Sequence, residues 1–302
     1  MNAPVVLFVY NRINKTQKTI VALKENQLAQ ESDLFIYSDG PKSEVDIPHV
    51  RELRDFLKSV SGFKSVTIIE SEKNLGLEQS IVAGITKIID KCGKVIVLED
   101  DIVTSKYFLQ YMNDSLSLYQ NEDKVMSISG YMYPHKNKLP DTFFYNVPLC
   151  WGWSTWKRAW DKYNDSSDFH IDYLTKNKLW SDFNKVGGKY LERQLRNNKK
   201  GIINTWFIYW HASVFYENGF CLFPNTSLVD NIGFDNTGEH SNRTNKFYSP
   251  IAQNPVIVIK QKLIENQEAR KIIKHFYLFK RNSYVKKAKE FFFTFSSKFI
   301  RV

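Results

Sequence analysis

Cysteine is scarce in this 302-residue chain, and the few present do not cluster. Cys92, Cys150 and Cys221 are odd in number and form no CxxC pair. That excludes a zinc ribbon and a disulfide framework, and it points to a reducing cytoplasm. Long apolar runs are missing too. The opening run over residues 4–10 is too short to cross a bilayer and has no basic leader, and no later stretch is long enough. A soluble or peripheral protein is expected. Neither GxGxxG nor GxxxxGKS/T follows the first strand, so the dinucleotide fingerprint and the P-loop are both excluded. No Pro/Gly/Ser-rich linker and no internal repeat divides the chain.

Aromatics, by contrast, are abundant, at 15% of residues. Positive charge is unevenly spread. Ten Lys/Arg and one Glu lie from Arg270 onward, so nearly all of the net charge of +10 belongs to the tail and the remaining body is close to neutral.

The first part alternates strand and helix signals. Apolar runs over residues 5–10, 34–37, 66–69, 95–98 and 125–129 predict strands. Between them, Ile20 and Leu23, then Val50, Leu53, Phe56, Leu57 and Val60, follow helical spacing. So do Leu77, Ile81, Ile85, Ile88 and Cys92, and later Leu109, Met112, Leu116 and Tyr119. Asn14 with Gln17 three residues on reads as a capping box opening the first helix. This order predicts an α/β fold with a mainly parallel sheet flanked by helices. After Gly130 the alternation stops, and the segment to about Pro255 holds all seven tryptophans. It is expected to be the second half of one fold, packed beside the sheet. The expected organisation is therefore 1–130, 131–259 and a basic aromatic tail over 260–302.

The most informative stretch is Leu98-Glu99-Asp100-Asp101, which closes the apolar run Lys94-Val95-Ile96-Val97-Leu98. Carboxylates crowded at the end of a buried strand repel one another, and burial raises the cost. A cation is expected to compensate. Mg²⁺ or Mn²⁺ suits, because a hard ion takes oxygen ligands from one or two carboxylates plus substrate phosphates. Open α/β sheets also bind ligands beyond the carboxyl ends of their strands. The competing reading is that Asp100 and Asp101 only cap a helix beginning near Ser105.

The order strand, Asn11-Arg12, strand, Asp39-Gly40, Asn74-Leu75-Gly76, strand, Glu99-Asp100-Asp101 resembles the GT-A glycosyltransferases. More narrowly, it is similar to bacterial family-2-type enzymes and N-acetylglucosaminyltransferase I. The likeness runs from about residue 3 to residue 240. It implies a metal-dependent transfer of sugar from a nucleotide-diphosphate donor, first of all a UDP-sugar, to an acceptor hydroxyl in surface polysaccharide synthesis. By this resemblance Asp39 accepts a hydrogen bond from uracil, while Arg12 and Asn74 lie on the nucleotide side. Glu99 and Asp100 contact ribose and donor sugar, and Asp101 is the main metal ligand. His240, in the block Asn231-Ile232-Gly233-Phe234-Asp235 with Gly238-Glu239-His240, closes over metal and diphosphate. Trp151 or Trp153 touches a carbohydrate or lipid-linked oligosaccharide acceptor through an indole face. The base aspartate of the relatives has no counterpart in Thr205-Trp206-Phe207-Ile208-Tyr209-Trp210. Asp230, Asp235, Glu217 and His211 are local candidates, with Asp230 first. The alternatives are a sugar-nucleotide nucleotidyltransferase and a non-catalytic carbohydrate- or polyanion-binding module.

The tail interleaves Lys/Arg with Phe276, Tyr277, Phe279, Tyr284, Phe291, Phe292, Phe293, Phe295 and Phe299. It fits an anionic membrane surface, a terminal helix docked on the body, or nucleic acid, in that order. The first would make the protein peripheral on the inner face of the cell membrane.

Overall fold

The computed structural model describes residues 1–186, 188–234 and 247–278. Its centre is an eight-stranded sheet in the order β3-β2-β1-β4-β8-β6-β9-β7. The strands are β1 (Val5–Val9), β2 (Asp33–Ser38), β3 (Ser65–Glu70), β4 (Lys94–Glu99), β6 (Val125–Ser129), β7 (Thr142–Tyr145), β8 (Trp153–Trp156) and β9 (Phe220–Pro224). β5 (Ile102–Thr104) and β10 (Val229–Asn231) form a separate antiparallel ribbon. β1 to β4 are mutually parallel, β6 pairs parallel with β9, and β7 and β8 run the opposite way. The expected mainly parallel α/β architecture is therefore present.

Burial along each strand follows its place in the sheet. β1 lies between β2 and β4 and is buried at every position, which is why it reads as an unbroken apolar run. β2, one strand nearer the edge, alternates buried and half-buried. β3 is the edge and shows no fully buried residue.

Helices α1 (Ile13–Lys24), α2 (Ile47–Leu57), α3 (Leu77–Cys92) and α4 (Phe108–Leu118) connect the first strands. The first helix departs from expectation at its start. Arg12, not Asn14, occupies the N-cap, and no side chain caps it. Asn14 lies inside the helix, so the predicted capping box does not form.

The second half is not packed beside the sheet. It supplies β7, β8 and β9, and β8 inserts between β4 and β6. Helices α5 (Lys157–Trp160), α6 (Ser167–Lys176), α7 (Trp180–Phe183), α8 (Tyr190–Lys199) and α9 (Trp206–Tyr216) follow. Trp153 of β8 lies in a cage of Trp160, Trp206 and Trp210, with ring centroids 5.3–6.1 Å apart. Fully burying such rings gives this half its core.

The tail boundary also moves. Gln261 donates to the Thr142 carbonyl at 3.2 Å, and the Asn266 amide donates to the Phe144 carbonyl at 2.9 Å, along β7. A helix over residues 267–278 follows, with Ala269 and Ile273 fully buried. Chain up to 278 thus belongs to the body.

Candidate functional site

Strand order reverses between β1 and β4. From β1 the chain steps outward to β2 and β3, then returns to β4 on the other side of β1. Such a switch point opens a crevice at the carboxyl ends of the strands. Arg12 follows β1, Asp39 follows β2, and Glu99 ends β4 with Asp100 and Asp101 next in the chain. The sheet therefore brings together residues that are far apart in sequence.

The acidic residues do not cap a helix. They turn directly into β5, and α4 begins only at Phe108, with Tyr107 at its N-cap. The cation they call for is within the chain. Arg12 donates through Nε to Asp100 Oδ2 at 3.1 Å and through Nη2 to Asp101 Oδ2 at 2.9 Å, and Nη2 also bonds Asp100 Oδ1. Burial opposes the charge on Arg12, but Asp100 and Asp101 outweigh it and hold the guanidinium protonated. Burial pushes the Asp100 carboxyl up, while Arg12 pulls it back. Among the described residues Glu99 has no such ion pair, and Arg12 lowers its pKa only as the smallest of the causes. Burial, then Asp101 and Asp100, push its carboxyl well above the usual range.

The surroundings fix this cluster. Thr19, two turns into α1, donates its hydroxyl to the Asp100 carbonyl at 2.9 Å. Buried Lys15 donates to the Ile232 carbonyl at 2.9 Å, and the Ile232 amide donates to the Asp101 carbonyl at 2.9 Å. The turn after β10 is thereby drawn onto the acidic motif. Gly233 is required there, because a Cβ on it would stand 2.3 Å from Asp101 Oδ2.

Asp39 and Asn74 lie in the loops after β2 and β3, and their visible work is to join those two loops. Asp39 Oδ1 accepts from the Gly40 and Leu75 amides at 2.8 and 2.9 Å, and Oδ2 accepts from the Gly76 amide at 2.9 Å. Asn74 donates to the Gly40 carbonyl at 2.8 Å. Gly40 permits the approach, since a Cβ would lie 2.5 Å from the Lys73 carbonyl carbon. A carboxylate offers about four lone-pair positions. Three are occupied here, so about one remains on Oδ2.

On the opposite side, Trp151 is half-buried, with Tyr131, Phe234 and Phe247 edge-on at 4.6, 5.4 and 5.5 Å. Trp153 is fully enclosed in the core and has no face to offer a sugar, so an acceptor-stacking role is left to Trp151 alone. Asp230 sits on β10 opposite Val103, next to the acidic motif, half-buried and with its carboxyl pushed up by burial. The other base candidates separate. Glu217 lies where its carbonyl accepts from Lys124, at the amino-terminal end of β6, away from the crevice. His211 is buried in α9 against Phe183. His240, like Asp235, Gly238 and Glu239, lies outside the described residues.

Among the described residues no three His, Cys, Asp or Glu side chains form a metal cage. A hard divalent ion that takes most of its ligands from phosphates needs less. Asp101 Oδ1 accepts no hydrogen bond from a described residue, whereas both Asp100 oxygens are held by Arg12. One open carboxylate oxygen beside a diphosphate fits Mg²⁺ or Mn²⁺.

Sequence reasoning gave no role of their own to Lys15, Thr19, Gly233 and Cys150. The first two had a signal: Arg12, Lys15 and Thr19 recur at helical spacing on one face of α1. Cys150 is half-buried, and burial with Glu99 and Asp101 nearby pushes its thiol well up. Nothing local in the sequence marks it.

Neither a family model nor a curated protein matches the chain's sequence. Among solved structures it is similar to TarS of S. aureus, at 10% identity and TM-score 0.41, covering 76% of this chain and 36% of that one. A structure of TarS 1–349 gives 10% identity and TM-score 0.42, covering 76% and 60%. The mannosyltransferase PcManGT from Pyrobaculum calidifontis, in complex with GDP-Man and Mn²⁺, gives 11% identity and TM-score 0.31, covering 45% and 36%. The chain spans 36–60% of the length of those chains, and likeness this distant assigns neither activity nor ligand.

Proposed function

We propose that this chain is a glycosyltransferase, moving a sugar from a nucleoside-diphosphate donor to an acceptor hydroxyl with help from Mn²⁺ or Mg²⁺. One observation carries the reading. The motif Glu99-Asp100-Asp101 ends a central strand at the switch point of a parallel sheet, with Arg12 and the Asp39–Asn74 loop pair around it. That is the setting the sequence resemblance calls for.

In this reading the loops joined by Asp39 and Asn74 shape the base-binding wall, and UDP is the first nucleotide to test. Asp101 presents its open oxygen to the metal, and Arg12 keeps Asp100 ionised and in place. Among the described residues no group accepts from buried Arg12 Nη1, which leaves its N–H donors for a diphosphate oxygen. The ion, when bound, neutralises charge developing on the leaving diphosphate. Asp230 is the base candidate best placed to take the acceptor proton. Its raised affinity for protons suits a general base better than an ordinary carboxylate would. Trp151 flanks the acceptor, a carbohydrate of the kind found in surface polysaccharides.

A thermal-shift screen of nucleotide sugars with and without Mn²⁺ tests this, since a ligand bound only by the native state raises stability by RT ln(1 + [L]/Kd). A shift with a nucleoside-diphosphate sugar that needs the metal is expected. A panel with no metal-dependent shift would contradict the proposal.

A further inference from the structure

The segment between the sheet and the last described helix carries an unusual outer face. Val256, Val258 and Leu263 pack inward, while Ile257, Ile259 and Ile264 are 63–65% exposed. Exposed Lys260 and Lys262 lie between Ile259 and Ile264. The segment is not loose. Tyr119 donates to the Ile259 carbonyl at 3.1 Å, and the Gln261 amide donates to the Tyr119 hydroxyl at 3.3 Å. Tyr119 thus ties the backbone at residues 259 and 261, and the inward packing of Val256, Val258 and Leu263 leaves the isoleucines outward. Lys271 and Lys274 are exposed on the helix that follows. Beyond residue 278 the sequence adds Lys280, Arg281, Lys286, Lys287, Lys289, Lys298 and Arg301 against Glu290 alone, interleaved with phenylalanines.

We infer that this face binds the surface of an anionic lipid bilayer, with Ile257, Ile259 and Ile264 entering the headgroup boundary and the lysines around them meeting lipid phosphates. Charge complementarity selects the partner's sign. The isoleucines select a bilayer over a nucleic acid, because an aliphatic side chain neither stacks on a base nor pairs with a phosphate. A second copy of the chain is disfavoured, since two such basic faces repel. Each lysine near an anionic surface contributes about fivefold to partitioning, and salt screens that share. Each isoleucine moved out of water contributes about tenfold, and salt does not screen it.

The face is linked to the candidate site. Phe276 and Tyr277 of the helix pack on Tyr133 at 4.8 and 5.5 Å, and Phe276 packs on Phe247 at 5.4 Å. Phe247 in turn touches Trp151. A membrane-seated chain would therefore meet an acceptor carried on a lipid. That consequence rests on the proposed glycosyl transfer, whereas the lipid contact itself does not.

Co-sedimentation of the full chain with phosphatidylcholine vesicles, with and without 30% phosphatidylglycerol, at 0.1 and 0.5 M NaCl, tests it. Binding to the anionic vesicles is expected at both salts, weaker but measurable at the higher one. The triple variant Ile257→Ser/Ile259→Ser/Ile264→Ser should lose binding at 0.5 M and bind at least tenfold more weakly at 0.1 M, with unchanged thermal stability. Equal binding by variant and wild type overturns the inference, as does no binding to anionic vesicles. Should the triple variant prove less stable, Lys260→Gln/Lys262→Gln supplies the second reading, and unchanged binding at 0.1 M again overturns it. Vesicle binding needs no turnover, so failure here leaves the enzymatic proposal standing.

Discussion

Arg12 bridges Asp100 and Asp101, with Nε 3.1 Å from the first and Nη2 2.9 Å from the second. The pair joins the loop after β1 to the end of β4, 88 residues away in sequence, and places a fixed positive charge where an acidic cluster alone would be unstable.

Removing that charge has a defined cost. Arg12→Ala leaves Asp100 buried without its cation, which typically costs about 3–5 kcal/mol, or of order 5–15 °C in Tm. In the variant the folded-state pKa of Asp100 lies above its unfolded value. The penalty is therefore full above that pKa and shrinks only as pH falls through it, because the folded variant then takes up a proton before the wild type does. Thermal melts from pH 8 to pH 5 should show the gap to wild type narrowing. A gap constant with pH would mean that Arg12 contributes packing rather than charge.

Mn²⁺ offers a second cation for the same carboxylates. It is expected to raise the Tm of Arg12→Ala more than that of the wild type, where Arg12 already holds Asp100 and one oxygen of Asp101. Equal shifts would separate the metal's ligands from the Arg12 bridge.

The loop pair makes another expectation concrete. Asp39→Ala strips the Gly40, Leu75 and Gly76 amides of their acceptor. A lost charge-assisted hydrogen bond costs about 1.5–3 kcal/mol, so binding of UDP should weaken roughly 10- to 150-fold. Inorganic diphosphate, which does not use the base wall, should lose much less. Calorimetry with both ligands distinguishes the outcomes, and equal losses would remove Asp39 from base recognition.

Much of this arrangement is written locally in the chain, and some is not. β1 and β4 announce themselves because central parallel strands are buried on both faces and need unbroken apolar runs. The acidic motif is legible because carboxylates rarely end such a run. The Arg12 bridge is not legible, since no local pattern says which distant carboxylates a post-strand arginine meets. β7 and β8 escape for another reason. Thr142-Phe143-Phe144-Tyr145 and Trp153-Ser154-Thr155-Trp156 are buried at every position, so they lack the alternation that marks a strand with one wet face. The same burial misleads at Trp153, whose tryptophan–glycine setting resembles a sugar platform but whose ring fills the core. At Asn14 the local capping signal loses to tertiary demand, because the side chain of Arg12 is committed to the acidic cluster.

His211 predicts an acid-labile core. Burial lowers its pKa from 6.5 to about 4. The unfolded chain takes up the proton first as pH falls, so stability is lost between about pH 6.5 and pH 4, then levels off. The full loss is about 3 kcal/mol. His211→Gln should flatten that part of the stability profile, leaving a smaller slope from His170, which burial also shifts down. An unchanged slope would move the acid sensitivity elsewhere.

The central claim is glycosyl transfer from a metal-held nucleotide sugar at Asp101, and release of the free nucleoside diphosphate reads it most directly. Wild type incubated with a panel of nucleoside-diphosphate sugars should release UDP, or the matching diphosphate, only when Mn²⁺ or Mg²⁺ is present. Asp101→Asn, folded to the same Tm in metal-free buffer, should lower that release at least a hundredfold. Release that persists in Asp101→Asn or proceeds equally well in EDTA, or the absence of release from every donor, would contradict the account.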